Sequence, residues 1–378
     1  MSGHALPPDR TGVWHRPWTG NAEPARPEPG MTVFWQDGRA IGHVLILPDG
    51  TRRLADPAEA IAYPPFAQPA ECASIIICTR DRPDEVARCL ASLSDQTLAP
   101  VEVIVVDNAS VDERTRAAAL AAGVTYVRED RPGLDYARNS GWQAATGDIL
   151  VYTDDDVMLH PTWLERMVGA FDDPAIGAVT GLVLPAELAS EAQFLFESGW
   201  SFGQGYRRID FTPADFAAAD HGRHCFAPWK IGAGASMAFR RSVFDRAGGF
   251  DDRLDVGQAG CSGDSEYWYR LLDVGIGCRY EPAATAFHYH RRDIAGLAKQ
   301  LRAYMRGHSA ALLVQYERTG RRGNLWRLMV VMPRWYLRRA ARTLIGRRRR
   351  EDRFLWREIS GYLSGIAFYL SQPRPPYG

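Results

Sequence analysis

Ile149-Leu150-Val151-Tyr152-Thr153-Asp154-Asp155-Asp156-Val157 reads as an apolar strand that stops on three adjacent carboxylates. Such a run cannot bury all three acids unpaired, because each uncompensated buried carboxylate costs several kcal/mol. A divalent cation at the strand's C-terminal end resolves the conflict. Hard cations held by one or two carboxylates and by substrate phosphates are the usual form of Mg²⁺ and Mn²⁺ in phosphate-handling enzymes. A solvated acidic turn is the plain alternative.

Working outward, the same region alternates apolar strands with amphipathic helices. Ser74-Ile75-Ile76-Ile77-Cys78 is a continuous apolar strand, and residues 83–93 form a helix with Val86, Leu90 and Leu93 on one face. A second strand over 101–106, a helix over 112–122, a short strand over 124–127 and a helix over 134–145 lead to the strand over 148–153. This alternation predicts an α/β fold with a mostly parallel sheet covered on both faces by helices. Ligands of such sheets bind at the carboxyl ends of the strands. Those ends carry Thr79-Arg80-Asp81, Asp107-Asn108 and Asp154-Asp155-Asp156, three polar clusters on one edge. Further strands are expected over 176–184, 235–239 and 279–290, with a helix over 264–274. The aromatic segment 186–230, with Phe194, Phe196, Trp200, Phe202, Tyr206 and Trp229, fits either a substrate groove or plain packing.

Before this domain, residues 1–30 are rich in Pro, Gly and charge and are expected to be poorly ordered. Residues 31–54 read as a small β element punctuated by Asp37-Gly38 and Asp49-Gly50. Pro64, Pro65 and Pro69 mark a linker. The resulting division is an N-terminal extension over 1–70, a catalytic domain over 71–292 and a basic helical region over 293–378.

The net charge of zero hides a strong asymmetry. Residues 291–353 hold 18 Lys/Arg against four Asp/Glu, and the first 290 residues carry −15. From residue 294 the chain reads as helical, with Trp326 to Arg350 mixing Leu, Met, Val, Trp, Tyr and Arg, broken at Pro333. That composition suits a membrane-surface helix facing anionic lipid; packing against the acidic domain is the alternative. Nucleic acid is disfavoured, since the main domain is acidic and lacks a basic recognition motif. The N-terminus has no apolar signal core and no stretch reaches 18 apolar residues. A cytoplasmic location is therefore expected, peripheral on the inner face of the membrane where the helices bind it. The six cysteines show no zinc-type spacing and suit reduced thiols.

Several segments together resemble family 2 glycosyltransferases of the GT-A, Rossmann-like fold, of inverting and bacterial type, over about residues 73–315. They are Cys78-Thr79-Arg80-Asp81-Arg82-Pro83, Val105-Val106-Asp107-Asn108-Ala109-Ser110, Arg131-Pro132-Gly133-Leu134, Ala137-Arg138-Asn139-Ser140-Gly141 and Thr153-Asp154-Asp155-Asp156-Val157. Further on come residues 234–241, Gly248-Gly249-Phe250-Asp251, Gly263-Asp264-Ser265-Glu266 and Phe287-His288-Tyr289-His290-Arg291-Arg292. The resemblance implies inverting transfer of a sugar from a nucleotide-diphosphate sugar, most commonly a UDP-sugar, to an acceptor hydroxyl, with Mn²⁺ or Mg²⁺. The acceptor would be a surface polysaccharide, a lipid-linked oligosaccharide or a small metabolite.

By the same resemblance Asp156 is a metal ligand, Asp154 stands by the ribose or the metal's water shell, and Asp155 is the alternative ligand. His288 completes the metal site or touches the diphosphate, with His290 as its alternative. Asp264 is the base; a helix N-cap is its plain reading. Gly263 departs from the family pattern, which has Glu there, and Glu266 remains a second acid. Thr79, Arg80, Asp107, Arg138, Asn139, Asp154 and Asp155 would hold the donor. Against these stand an ion pair from Arg138 to the acidic turn and a plain turn at Asp107-Asn108. Gly133 fits a turn or a close backbone approach. Two other readings stay open: a sugar nucleotidyltransferase, although the loop after the first strand has no glycine, and a non-catalytic membrane-associated scaffold, supported by Gly263.

Overall fold

A computed structural model describes residues 6–55 and 71–372. Four strands, β1 (Val13–Pro17), β2 (Gly30–Gln36), β3 (Arg39–Ile46) and β4 (Arg52–Ala55), make a small sheet in sequential order. β1 pairs with β2 in parallel, and the other pairings are antiparallel. The strand β1 corrects the expectation of disorder over 1–30. Val13 and Trp14 are buried, and Val13, Met31, Val33 and Trp35 share one apolar cluster with Leu182, Leu184 and Phe287 of the main domain. Burial against a second sheet outweighs the Pro- and Gly-rich composition around it. The linker expected at Pro64, Pro65 and Pro69 lies outside the described residues.

The main domain follows the predicted alternation: β5 (Ala73–Thr79), α1 (Pro83–Leu93), β6 (Glu102–Asn108), α2 (Arg114–Ala121), β7 (Thr125–Glu129), α3 (Leu134–Ala144) and β8 (Ile149–Asp154). The helix α1 shows why these elements form where they do. Pro83 occupies its first turn, where a missing N–H is harmless, Asp84 and Glu85 face the positive end of the helix dipole, and Val86, Cys89, Leu90 and Leu93 are buried. Then come β9 (Val157–Leu159), α4 (Trp163–Gly169), β10 (Ile176–Pro185), α5 (Glu191–Gly199), β11 (Ile209–Phe211), α6 (Pro213–Ala219), β12 (Ser236–Arg240), α7 (Ser242–Ala247), α8 (Gly263–Asp273) and β13 (Gly277–His288).

β5 to β13 form one nine-stranded sheet in the order β11-β13-β10-β12-β8-β5-β6-β7, with β9 against β13. Six strands, β5 to β8 with β10 and β13, run the same way; β9, β11 and β12 run against them. Alternate residues of β5 serve two cores. Ile75 and Ile77 pack with α1 and α4, while Ile76 packs with α3 and α8. Each such fully buried Ile contributes about 1.5–3 kcal/mol. The carboxyl ends of β5, β6, β8 and β13 therefore meet along one edge. The aromatic segment 186–230 packs: Phe194, Phe196 and Tyr206 are buried, and Phe202 lies edge-on to His288 with ring centroids 5.2 Å apart. All six cysteines are free.

The C-terminal helices are α9 (Ile294–Thr319), α10 (Arg322–Trp326), α11 (Met332–Leu344) and α12 (Leu355–Ser371). Pro333 does not break the run. It sits in the first turn of α11, directly after a π-helical turn over Arg327–Val331 that absorbs the change of ladder. α12 lies close along α9, because a side chain at Gly361 or Gly365 would strike the backbone of Arg302 or Arg306. Part of the basic charge is spent on the main domain. Arg318 pairs with Asp251 and Arg321 with Asp273, both at 2.8 Å.

Candidate active site

Strand pairing assembles the acidic turn. β9 continues from Asp156 and pairs with β13 so that Val157 faces His288, and the Tyr289 N–H donates to the Asp156 carbonyl at 3.0 Å. His288 Nε2 then lies 3.1 Å from Asp156 Oδ1. Arg82, at the N-terminus of α1, reaches Asp155 Oδ1 at 2.9 Å and Asp156 Oδ2 at 3.0 Å. Thr79, at the end of β5, donates its hydroxyl to Asp155 Oδ2 at 2.6 Å. Asp154, Asp156 and His288 bring one ligand atom each to within 4.8 Å of one another. Two carboxylates and an imidazole are a fitting donor set for Mn²⁺ or Mg²⁺.

The electrostatics divide the three acids. Burial, then repulsion from Asp156, pushes the Asp154 carboxyl up to about 7 and Asp155 up to about 6. Burial also opposes ionisation of Asp156, but His288 and Arg82 hold its carboxyl far below the usual range. For His288, burial favours the neutral ring, yet the contact with Asp156 prevails and raises it; burial lowers His290. His288 Nδ1 and His290 Nδ1 are 3.0 Å apart, so one must donate.

A second acid cluster lies beside the first. The guanidinium of Arg138, on α3, donates through Nη1 to Asp135 Oδ1 at 2.8 Å and to Asp255 Oδ2 at 2.6 Å. Asp264 accepts from the N–H of Gly234 at 2.9 Å and of Ser265 at 2.6 Å. Gly234 precedes β12, whose Ser236 is in register with Thr153, so this cluster borders the same edge. Burial, then Asp255, raises the Asp264 carboxyl above the ordinary range, with Arg138 opposing. The N-cap of α8 is Ser262, so Asp264 stands inside the first turn.

Other expected site residues are placed differently. Arg138 pairs with Asp135 and Asp255, and among the described residues no ion pair joins it to the acidic turn. Glu266 is committed to Arg270 at 2.8 Å and Arg318 at 3.4 Å. Asp107 is fully buried and accepts from Tyr126 at 2.8 Å and Arg128 at 3.1 Å. Asn108 straps the following loop by accepting from Gly133 N–H at 2.8 Å. Asn139 uses both amide atoms on the backbone of Phe250, at 2.9 and 2.8 Å. Arg80 is exposed and lies 3.6 Å from Asp81. Sequence reasoning overlooked Arg82, Asp135 and Asp255 as members of the clusters. Arg82 stands inside a segment already singled out, whereas Asp135 and Asp255 carry no local signal.

Residues 74–246 match the family model described as glycosyl transferase family 2. Those residues are a glycosyltransferase family 2 domain. Among curated proteins, the chain is 25% identical over 283 residues to a pre-mycofactocin glycosyltransferase of Mycobacterium tuberculosis, covering 74% of this chain and 56% of that one. It is 26% identical over 186 residues to a glucosyl-dolichyl phosphate glucuronosyltransferase of Haloferax volcanii, covering 47% of this chain and 55% of the other. The chain thus spans just over half the length of these curated relatives. A mannosyltransferase of Pyrobaculum calidifontis, solved in complex with GDP-Man and Mn²⁺, superposes with a TM-score of 0.50 at 17% identity, over 80% of this chain and 88% of that one. The likeness establishes the GT-A fold.

Proposed function

We propose that this protein is a metal-dependent, inverting glycosyltransferase that moves a sugar from a nucleotide-diphosphate sugar to an acceptor hydroxyl. The observation that carries the reading is the convergence of Asp154, Asp156 and His288 within 4.8 Å at the carboxyl edge of the sheet, beside Asp264. A divalent Mn²⁺ or Mg²⁺ held there supplies charge neutralisation for the departing diphosphate. Asp264 takes the acceptor's proton as its oxygen bonds to the anomeric carbon and the bond to the diphosphate breaks. The raised proton affinity of Asp264 suits a base. Thr79 and Arg82 hold Asp155 and Asp156 in place. Arg80, Asp107, Arg138 and Asn139 shape the donor side, of which Asp107 and Asn139 act through the loops they hold and Arg138 through the acids it pairs with. We favour a UDP-sugar donor and a polysaccharide, lipid-linked or small carbohydrate acceptor.

Nucleotidyl transfer finds no support in the loop after β5, whose Thr79 and Arg82 already serve the acids. Calorimetric titration of UDP, GDP and dTDP, with and without Mn²⁺, tests the reading. Metal-dependent binding of one nucleotide by wild type, weakened at least about 100-fold in Asp156→Ala, is expected. Failure of folded wild type to bind any of them sinks it and favours the scaffold.

A second reading places the protein on the inner face of the membrane. No helix among the described residues is long and apolar enough to cross one. Yet Met329, Trp335, Leu337, Leu344, Ile345 and Trp356 are exposed, Leu344 at 87%, in a strongly basic region. Apolar side chains among arginines suit an anionic lipid surface. Because α12 packs on α9, point variants test this better than truncation. Leu344→Glu/Ile345→Glu should weaken binding to phosphatidylglycerol vesicles by about tenfold or more. Equal binding by variant and wild type removes the membrane role.

A further inference from the structure

Asp135 is fully buried at the second position of α3. Its Oδ1 accepts from Arg138, while its Oδ2 has no hydrogen-bond partner among the described residues. That bare oxygen rests on the backbone of Gly263. A Cβ at position 263 would collide with Oδ2 and come within 2.6 Å of the carboxyl carbon. Gly263 is not among the residues of positive φ, so backbone conformation does not demand glycine there. The carboxyl group of Asp135 does. Gly263 in turn adjoins Asp264. Arg138 Nη2 and Asp264 Oδ2 approach the same point over Gly234, at 2.8 and 2.9 Å from where its Cβ would stand. An unpaired buried carboxyl oxygen destabilises a fold, and such groups concentrate where function requires them.

We propose that Asp135 is a positioning residue for sugar transfer, supplying from α3 the second carboxyl group beside Asp264, and that residue 263 is glycine to admit it. The inference rests on the glycosyltransferase reading above. Asp135 and Asp255 fix the guanidinium of Arg138 from two sides, and the charge of Arg138 is felt at both Asp264 and Asp154. Asp135 thus aligns the base with the metal-binding edge without touching substrate. A side chain at position 263 would begin in the space that the Asp135 carboxyl fills, so only one of the two positions can host an acid here.

Exchange variants test this. Asp135→Ala should lower kcat about 100-fold while the donor KM moves less than about threefold. Asp135→Ala/Gly263→Glu should recover to within about tenfold of wild type, whereas Asp135→Ala/Gly263→Gln, of the same shape without the charge, should not. Equal behaviour of Glu and Gln overturns the proposal, because space-filling alone would then explain the contact. Should Asp135→Ala not fold, Asp135→Asn carries the comparison, and unchanged kcat there overturns it. A thermal cycle reads the contact without activity. Gly263→Ala should lower the melting temperature by about 5 °C in wild type and by little in the Asp135→Ala background. Additive shifts overturn the contact. If the contact holds but wild type turns over no nucleotide sugar, the transfer reading has failed, and this role falls with it.

Discussion

In the acidic turn Asp155 and Asp156 share Arg82 and Asp156 also meets His288, whereas Asp135 and Asp255 share one cation, Arg138, with Asp264 beside them. The first set is open: 32% of the Arg82 side chain is exposed. The second is sealed, with Arg138 only 5% exposed. An open cluster can exchange a protein cation for a metal ion, since solvent and ligands reach it. A sealed one must be neutralised by the chain itself or by protons. The difference separates a place where a ligand binds from a place where the scaffold is held, although both border the same sheet edge.

The largest expected effect is therefore on folding, from the sealed cluster. Arg138→Gln leaves buried carboxylates without their cation, and losing one partner of a buried pair costs about 3–5 kcal/mol. The remedy open to the variant is protonation. The affected acids have folded proton affinities above their unfolded ones, so stability present at low pH is lost as pH rises through the raised values. The melting temperature of Arg138→Gln should fall as pH rises above the ordinary carboxylate range, where protonation of Asp135 and Asp264 no longer relieves the cluster. A deficit independent of pH would show that Arg138 acts by packing.

How much of this contrast the sequence discloses depends on where each partner sits. Asp154 to Asp156 are adjacent, end an apolar strand, and need only His288 from another strand. The run β5 to β8 is legible for a related reason: parallel strands buried on both faces are continuous apolar stretches, and α1 carries its Pro, its acids and its apolar stripe in eleven residues. The sealed cluster is not legible, because Arg138 and Asp255 are 117 positions apart and Asp255 has no local pattern. β1 is hidden among Pro, Gly and charge, since its apolar partners lie on β10 and β13. Pro333 misleads because only the preceding π-helical turn shows that no backbone donor is needed at that position.

A smaller effect is expected on the reaction's pH dependence. Asp264 must be ionised to take a proton, and its affinity is raised by burial and by Asp255. The rate should therefore fall as pH drops through a limb above the ordinary carboxylate value of 3.8. Measured kcat/KM against pH, with metal saturating, locates the limb. A limb at or below that value would mean that the sealed cluster does not tune the base.

The smallest effect comes from the open cluster, and it sharpens the comparison most. Arg82→Gln removes a partly exposed cation, which limits its cost to about 1 kcal/mol. Asp155 and Asp156 lie buried and adjacent, so the vacancy raises the local negative potential. A divalent ion is the natural replacement, because it answers that charge at the same oxygens. Mn²⁺ should accordingly raise the melting temperature of Arg82→Gln more than that of wild type, by mass action on the folded state. The same addition should do nothing for Arg138→Gln, whose directly paired acids, Asp135 and Asp255, are buried. Equal Mn²⁺ shifts in wild type and Arg82→Gln would mean that Arg82 and the metal do not compete for one charge, and the distinction between an exchangeable and a sealed cluster would fail at its open end.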